Sequence, residues 1–510
     1  MIISLSVLVI TIIVSGTYAL YKAQLSKNIG VNTTTHGLAY YINYVKGTDI
    51  TAATLNPSTS YEGGASSDIE FWKKDDSYDI YGKIELTVNT IGTNLSNSPA
   101  LKYAVVNNGN VLKEGSLKGT TSGSKVTILK NLYLEQTKQI YTVYVWLDNS
   151  EELGNISNES LSISVDCTAS LQKEPTAADT IISLYTSAAK VTATNNSITY
   201  NTAPSVSLMN DRLGGTTTSL DGGNIRYYGA SPNNYIYFNC SDYSNQTSST
   251  CETWRIIGVF DGKLKLIKSE SIGAYSWDNK DTSTGAENDT GKNDWTTARL
   301  MKLLNPSNYY KVDSNDNNLG QSLYYNSASG KCYSGQNNAT VDCDFTSTGI
   351  KNAETRNMIA ETTYNLGGWN SNSVYSNQIY EYERGTTVYS GRPTTWKGKI
   401  ALAYPSDYGY AADLNQCKDK TLYDYDNRTC TSNNWMKAII TNNGSNTGWL
   451  LTPFSRLSYY AWYVDSDGFV NYYNGACNAS GAVPVLSLSS ELGIESGGDG
   501  SSSKPYKLSA

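Results

Sequence analysis

An all-β sandwich followed by an α+β domain is the multi-domain fold that the 510-residue sequence predicts. Three observations carry that prediction. From residue 30 to 166 apolar side chains alternate with polar ones at the two-residue period of half-buried strands. Beyond residue 180 helical and strand patterns mix, and between the two regions "TASLQKEPTAAD" breaks both periods around Pro175. The expected boundaries are 30–166 for the sandwich, 167–180 for a linker and 181–508 for the α+β domain with a closing Gly/Ser-rich tail. Residues 1–29 read as a signal peptide or membrane anchor.

The chain opens "MIISLSVLVITIIVSGTYALYK", apolar from Ile2 to Val14, small at Ser15-Gly16-Thr17, and first charged at Lys22. This pattern fits a signal peptide cleaved after Ala19, or an uncut segment just long enough to span a bilayer. "SGTYALY" resembles the signal peptides of the bacterial camelysin and biofilm-fibre family. "ISLSVLVITIIV" resembles prepilin leaders less closely, because their Gly-Phe junction and glutamate are missing. Either leader implies an extracellular chain at the cell surface, secreted or held to the membrane by its N-terminal segment.

In the sandwich region "KIELTVN" alternates Ile84, Leu86 and Val88 with polar residues, "LKYAVV" does so at Leu101, Tyr103 and Val105, and "LSISVD" at Leu161, Ile163 and Val165. "IYTVYVWLDN" is apolar on both faces and predicts a central strand, with "NNGN" among the turns. The one histidine, His36, reads as an ordinary surface residue.

Export gives meaning to the eight cysteines, since disulfides persist outside the reducing cytosol. Six fall into local couples, Cys240 with Cys251, Cys332 with Cys343 and Cys417 with Cys430, each closing a short polar loop. Disulfides there contribute about 3 kcal/mol apiece by loop closure. Zinc needs tighter Cys-x2-Cys or Cys/His spacing. Cys167 and Cys477 are left over, free or paired with each other.

In the second domain Ile181, Leu184, Tyr185 and Ala188 recur at helical spacing, predicting an opening helix. "TWRIIGVFDGKLKLIK" reads as a hairpin turning at Asp261-Gly262. "NDWTTARLMKLLNP" reads as a helix capped by Asn293 or Asp294, with Leu300, Leu303 and Leu304 inward and Pro306 as its stop. "TGIKNAETRNMIAETTYNLGG" reads as helical as far as Gly367-Gly368, and "NNWMKAII" as a shorter helix. Strands return in "GKIALAYP", "GWLLTP", "AWYV", "FVNYY" and "AVPVLSL".

That order of blocks resembles an uncharacterised family of bacterial extracellular domains with a tryptophan hairpin, a "W-x-x-S-x-L-R-x-W-L-N" helix, a "W-L-R-S-P" strand, a "V-x-x-x-G-x-V" hairpin and a closing "V-R-P-x-L". The resemblance spans residues 220 to 508, and the tail "SGGDGSSSKPYKL" resembles the ends of many Firmicute and Mollicute surface proteins. Here the strand reads Trp449-Leu450-Leu451-Thr452-Pro453, and Val483-Pro484 replaces Val-Arg-Pro, so both family arginines are missing. The layout is also similar to C-type-lectin-like domains, with a Trp-rich strand and a hairpin near the C-terminus.

Composition excludes several functions. A net charge of −7, 17% charged residues and no basic run longer than Lys73-Lys74 argue against nucleic acid as a partner. Histidine-based triads have no histidine in the second domain. The Glu381/Glu383 doublet, on a strand, would be the nearest candidate for paired-carboxylate hydrolysis, but no motif surrounds it, and no enzyme or cofactor is predicted. "DSNDNNLG", residues 313–320, starts like a calcium loop but lacks the glycine and the closing glutamate. Asp465-Ser466-Asp467-Gly468 reads as a hairpin turn, with calcium binding as the alternative.

The remaining bias is tyrosine, 41 against 6 phenylalanines, and it peaks in "YYAWYVDSDGFVNYYNG". On two paired strands half of these rings must face water, and tyrosine favours adaptable binding surfaces. The expected ligand residues are Arg456, Tyr460, Trp462, Asp465, Asp467 and Tyr472. They would make the chain an adhesin-like surface protein recognising a glycan or surface protein. The alternative is a structural subunit of a surface fibre or pilus.

Overall fold

Alternation along Tyr81–Ile91 sends Ile84, Leu86 and Val88 to one side, where all three are buried. In the computed structural model this strand lies between Leu161–Ser170 and Lys125–Tyr133 in an antiparallel sheet. A second sheet runs in the order Ile42–Val45, Ala65–Lys73, Ile140–Asp148, Leu101–Asn107, Asn110–Ser116. Ile69, Phe71, Leu101, Val105, Val143 and Val145 of that sheet share one core with Ile84, Leu86, Ile163 and Val165 of the first. Two sheets closed on one apolar layer make a β-sandwich.

The described residues are 41–51, 55–151, 153–156, 159–195, 198–212, 222–243, 245–286, 289–312, 319–442 and 445–509, together with the backbone of 23–25. The leader, His36 and most of the 313–320 loop lie outside them. No helix among the described residues is long and apolar enough to cross a membrane. The chain divides into two compact units at Glu174/Pro175.

Within the first unit Ile140–Asp148 is central, but only Val145, Trp146 and Leu147 are buried in succession; before them the strand alternates. Trp146 points away from the main core into a small cluster with Ala104, Val106, Tyr61 and Tyr144. The last strand runs on to Ser170, so Cys167 is a core residue and not part of a linker. Ala23–Leu25 pairs with Cys167–Ala169, which brings the sheet ahead of residue 30.

The second unit opens on the helix Ala177–Ser187, whose Thr176 and Asp179 cap each other reciprocally and whose Ile181 and Tyr185 face inward. A nine-stranded sheet follows, with Ile225–Tyr227, Glu252–Phe260 and Lys263–Lys268 adjacent in its middle. Asp261 and Gly262, at φ of 48° and 70°, make the expected hairpin turn. A five-stranded sheet joins Ala274–Ser276, Ala479–Gly481, Gly448–Pro453, Tyr460–Val464 and Val470–Gly475. The helices set among these strands are short, and the whole is a β-rich, multi-sheet fold.

Two helical expectations are corrected. "TGIKNAETRNMIAETTYNLGG" is helical only over Ala353–Met358 and then becomes the strand Thr362–Asn365, because the β-branched Thr362-Thr363 pair with Thr395–Gly398. "NDWTTARLMKLLNP" yields the helix Arg299–Leu304, whose N-cap is Ala298 without a side-chain cap. Leu300, Leu303 and Leu304 are buried as expected.

The Gly/Ser-rich end is fastened: Tyr235 and Tyr237 exchange backbone hydrogen bonds with Tyr506, and both amide ends of Gln246 bond the main chain of Leu508. Three disulfides, Cys240–Cys251, Cys332–Cys343 and Cys417–Cys430, close the three polar loops and fit an oxidising compartment. Cys167 and Cys477 are both buried free thiols.

Candidate functional site

The hairpin Tyr460–Val464/Val470–Gly475 turns through Asp465 to Phe469, with Gly468 N–H donating to the Asp465 carbonyl at 2.9 Å and Asp465 N–H to that of Phe469 at 2.9 Å. Gly468 has φ of 104°, which a side chain would strain. Asp465 accepts from the Ser466 hydroxyl at 2.9 Å, and Asp467 is exposed at the tip of the turn. Among the described residues no group of three or more His, Cys, Asp or Glu gathers to hold a metal.

Parity puts Tyr460 and Trp462 on one face, and Trp462 and Val464 of that face are buried with Tyr460 packed against the same core. On the partner strand the register shifts: Ala461 faces Asn474 and Tyr463 faces Asn471, so Trp462 alone opposes Tyr472 and Tyr473. This β-bulge leaves one extra residue on Val470–Gly475. Trp462, 0% exposed, drops into the core beside Val464 and Val470, which corrects its place among the ligand residues. Tyr473, 61% exposed, takes the outward position.

Around it the rings form a continuous ladder. Tyr459 meets Tyr460 at 4.6 Å, Tyr460 meets Tyr473 at 5.8 Å and 88°, and Tyr473 meets Tyr472 at 4.3 Å. Tyr472 in turn stacks on Phe454 at 4.4 Å and 2°. Burial, then the Tyr473 hydroxyl at 3.3 Å, pushes the Tyr472 phenol up to about 12, so it remains a hydrogen-bond donor at neutral pH. Tyr423, 54% exposed, lies beside Phe469 at 5.9 Å and adds its influence on Tyr472. Arg456 is exposed on the loop between Pro453 and Tyr460, and its charge also reaches Tyr472.

Asn293 holds that loop. Its side-chain amide faces the carbonyls of Phe454, Leu457 and Tyr460 at 2.9, 2.8 and 2.9 Å, and its backbone N–H donates to Ser458. Arg392 donates to the Ser458 carbonyl at 3.1 Å. The expected helix cap is thus a loop anchor. Sequence reading missed Phe454, Tyr423, Asn293 and Arg392 as parts of this surface; only the tyrosine density marked Tyr473.

A second cluster of chemistry-bearing residues is buried. Arg226, Gly258 and Lys265 share one cross-strand row, so both cations project from the same face. A Cβ on Gly258 would come within 2.0 Å of the Ile225 carbonyl, which keeps the row tight. Arg226 pairs with Asp211 at 2.5 Å and with Asp407 at 2.9 Å, and Lys265 pairs with the other Asp407 oxygen. Phe260 and Tyr410 lie over the guanidinium at 4.6 and 4.7 Å. Two cations against two carboxylates leave the cluster neutral.

Glu381 and Glu383 do not form a strand doublet. They end the helix Ser376–Glu383, with Glu381 exposed and Glu383 buried against the Ser406 N–H at 2.8 Å and the Ser406 hydroxyl. Burial pushes the Glu383 carboxyl up to about 7, against the partial offset of Arg384. A carboxyl raised above its ordinary 4.5 stabilises the fold below that value, and the contribution is lost as pH rises toward 7. Glu383→Gln is therefore expected to flatten the fall in melting temperature between pH 5 and 7, as followed by calorimetry; an unchanged slope contradicts the assignment.

No family model matches the sequence, and no curated protein matches it. Among solved structures, those titled as crystal structures of two HCR/D mutants are 13% and 12% identical and cover 51% and 50% of this chain and 76% of theirs, each at a TM-score of 0.15. At that score the likeness assigns neither fold nor function.

Proposed function

We propose that the chain is an adhesin-like extracellular binding protein, in which a sandwich carries a C-type-lectin-like head and the C-terminal hairpin meets a carbohydrate or protein ligand. The observation that carries the reading is the exposed tyrosine ladder: two rings more than half exposed, Tyr473 and Tyr423, backed by stacked rings and a pinned loop. Rigid rings with polar tips bury large area at low entropic cost, the property binding surfaces select. Three disulfides fit the extracellular setting.

The contact residues of this reading are Arg456, Tyr460, Tyr472, Tyr473 and Tyr423, with Trp462 as their support. Tyr473→Ala is expected to weaken binding to a glycan or host-surface array by about tenfold or more, the scale of an aromatic hot spot, with the melting temperature unchanged. Wild-type protein that binds nothing on either array removes the proposal.

A further inference from the structure

Three features of the tyrosine face narrow its ligand. Arg456 is exposed, and among the described residues no hydrogen bond or ion pair occupies its guanidinium. Most arginines of this unit are committed: Arg226 to Asp211 and Asp407, Arg255 to Asn234, Arg299 to Asp281, Arg356 to Tyr325 and Ile350, Arg392 to Asn293 and Ser458. The loop bearing Arg456 is fixed at both ends, by Phe454 N–H to the Tyr460 carbonyl at 2.9 Å and by the Asn293 amide beneath it. A free cation on a fixed loop is preorganised for an anion.

The rings of the neighbouring hairpin offer the contact. Tyr460 and Tyr473 meet edge to face at 88° with centroids 5.8 Å apart, and Tyr473 keeps 61% of its surface exposed. A pyranose suits such a surface: its C–H face covers an exposed ring while its equatorial hydroxyls reach phenol oxygens, and no deep cavity is needed. A guanidinium adds two parallel N–H donors suited to a carboxylate.

Resting on the binding role proposed above, we infer that the ligand of this face is an acidic sugar, a pyranose bearing a carboxylate, with the ring against Tyr473 and Tyr460 and the carboxylate on Arg456. Arg456 then sets specificity and the tyrosines supply the contact.

The test uses the whole chain on a glycan array that prints each sialic- or uronic-acid-terminated glycan beside the neutral glycan lacking that carboxylate. The wild type is expected to prefer the acidic member by about tenfold, the scale of a charge-assisted hydrogen-bonded pair. Arg456→Gln should erase that preference by bringing the acidic member down to the level of the neutral one, Arg456→Lys should restore part of it, and Tyr473→Ala should weaken both members alike. Equal wild-type binding to both members, or a preference that survives Arg456→Gln, overturns the inference while the binding role stands. So does binding to a surface protein or acidic peptide with no glycan retained. Failure to bind any glycan or protein fails the binding role and this inference with it. Melting curves of the three variants, all altered at solvent-facing positions, separate lost recognition from lost fold.

Discussion

Asp407→Asn is expected to destabilise the second unit by about 3–5 kcal/mol, the cost of leaving a buried charge without its partner, although the side chain keeps its size. Asp407 is buried in the first turn of the helix Pro405–Tyr410. One of its oxygens takes the Arg226 Nη1 at 2.9 Å, and the other takes Lys265 and the Tyr404 N–H. Burial opposes its ionisation, but Lys265 and Arg226 hold the carboxyl below the ordinary range, so it is charged at neutral pH. Asparagine preserves an acceptor for Tyr404 and removes the negative charge, which leaves Arg226 and Lys265 facing Asp211 alone. Water does not reach them, since both are buried. Denaturant unfolding of the isolated variant and wild type, followed by tryptophan fluorescence, measures the loss. Replacing Arg226, Lys265 and Asp407 together by Met, Met and Leu should cost far less than Asp407→Asn alone, because no charge is then stranded. A single-variant cost below about 1 kcal/mol, the range of exposed ion pairs, would show that solvent screens the cluster.

How much of this was legible in the sequence follows from the range of each signal. The sandwich strands were readable because Ile84, Leu86 and Val88 announce their buried face within seven residues, and the Asp261-Gly262 turn because positive φ restricts residue choice. The local disulfides were readable because each couple closes one short loop. The buried ion cluster was not, because Asp211, Arg226, Lys265 and Asp407 meet only through a sheet row and a helix start 142 residues beyond Lys265. Nothing in "KLKLIK" distinguishes a buried lysine from a solvated one. Asn293 looked like a helix cap for the same reason: its carbonyl partners lie up to 167 residues away. The tyrosine surface was found by composition, but its facing was not, because parity says which residues share a face and not which face other elements cover; Trp462 is buried in a core assembled from distant elements while Tyr473 stays exposed.

That facing fixes the last prediction. Trp462→Ala is expected to cost about 3–5 kcal/mol, as for other large-to-small changes in a packed core, whereas Tyr473→Ala should stay within about 0.5 kcal/mol, as at open surface positions. Trp462 is fully buried with its ring 5.8 Å from that of Tyr472, among Val464, Val470 and Leu450. Among the described residues its indole N–H has no hydrogen-bond partner, so the loss is one of packing, and Trp462→Phe should recover much of it. Tyr473 meets the rings of Tyr460, Tyr472 and Phe454 and the Tyr472 hydroxyl, but 61% of its surface is already exposed. Paired melting curves of Trp462→Ala and Tyr473→Ala therefore test the facing of the hairpin, and equal losses at both positions would contradict it. Because Tyr472 stacks on Phe454 and leans against Trp462, the alanine at 462 should also loosen the ladder, so that binding fails together with stability, while Tyr473→Ala loses binding alone.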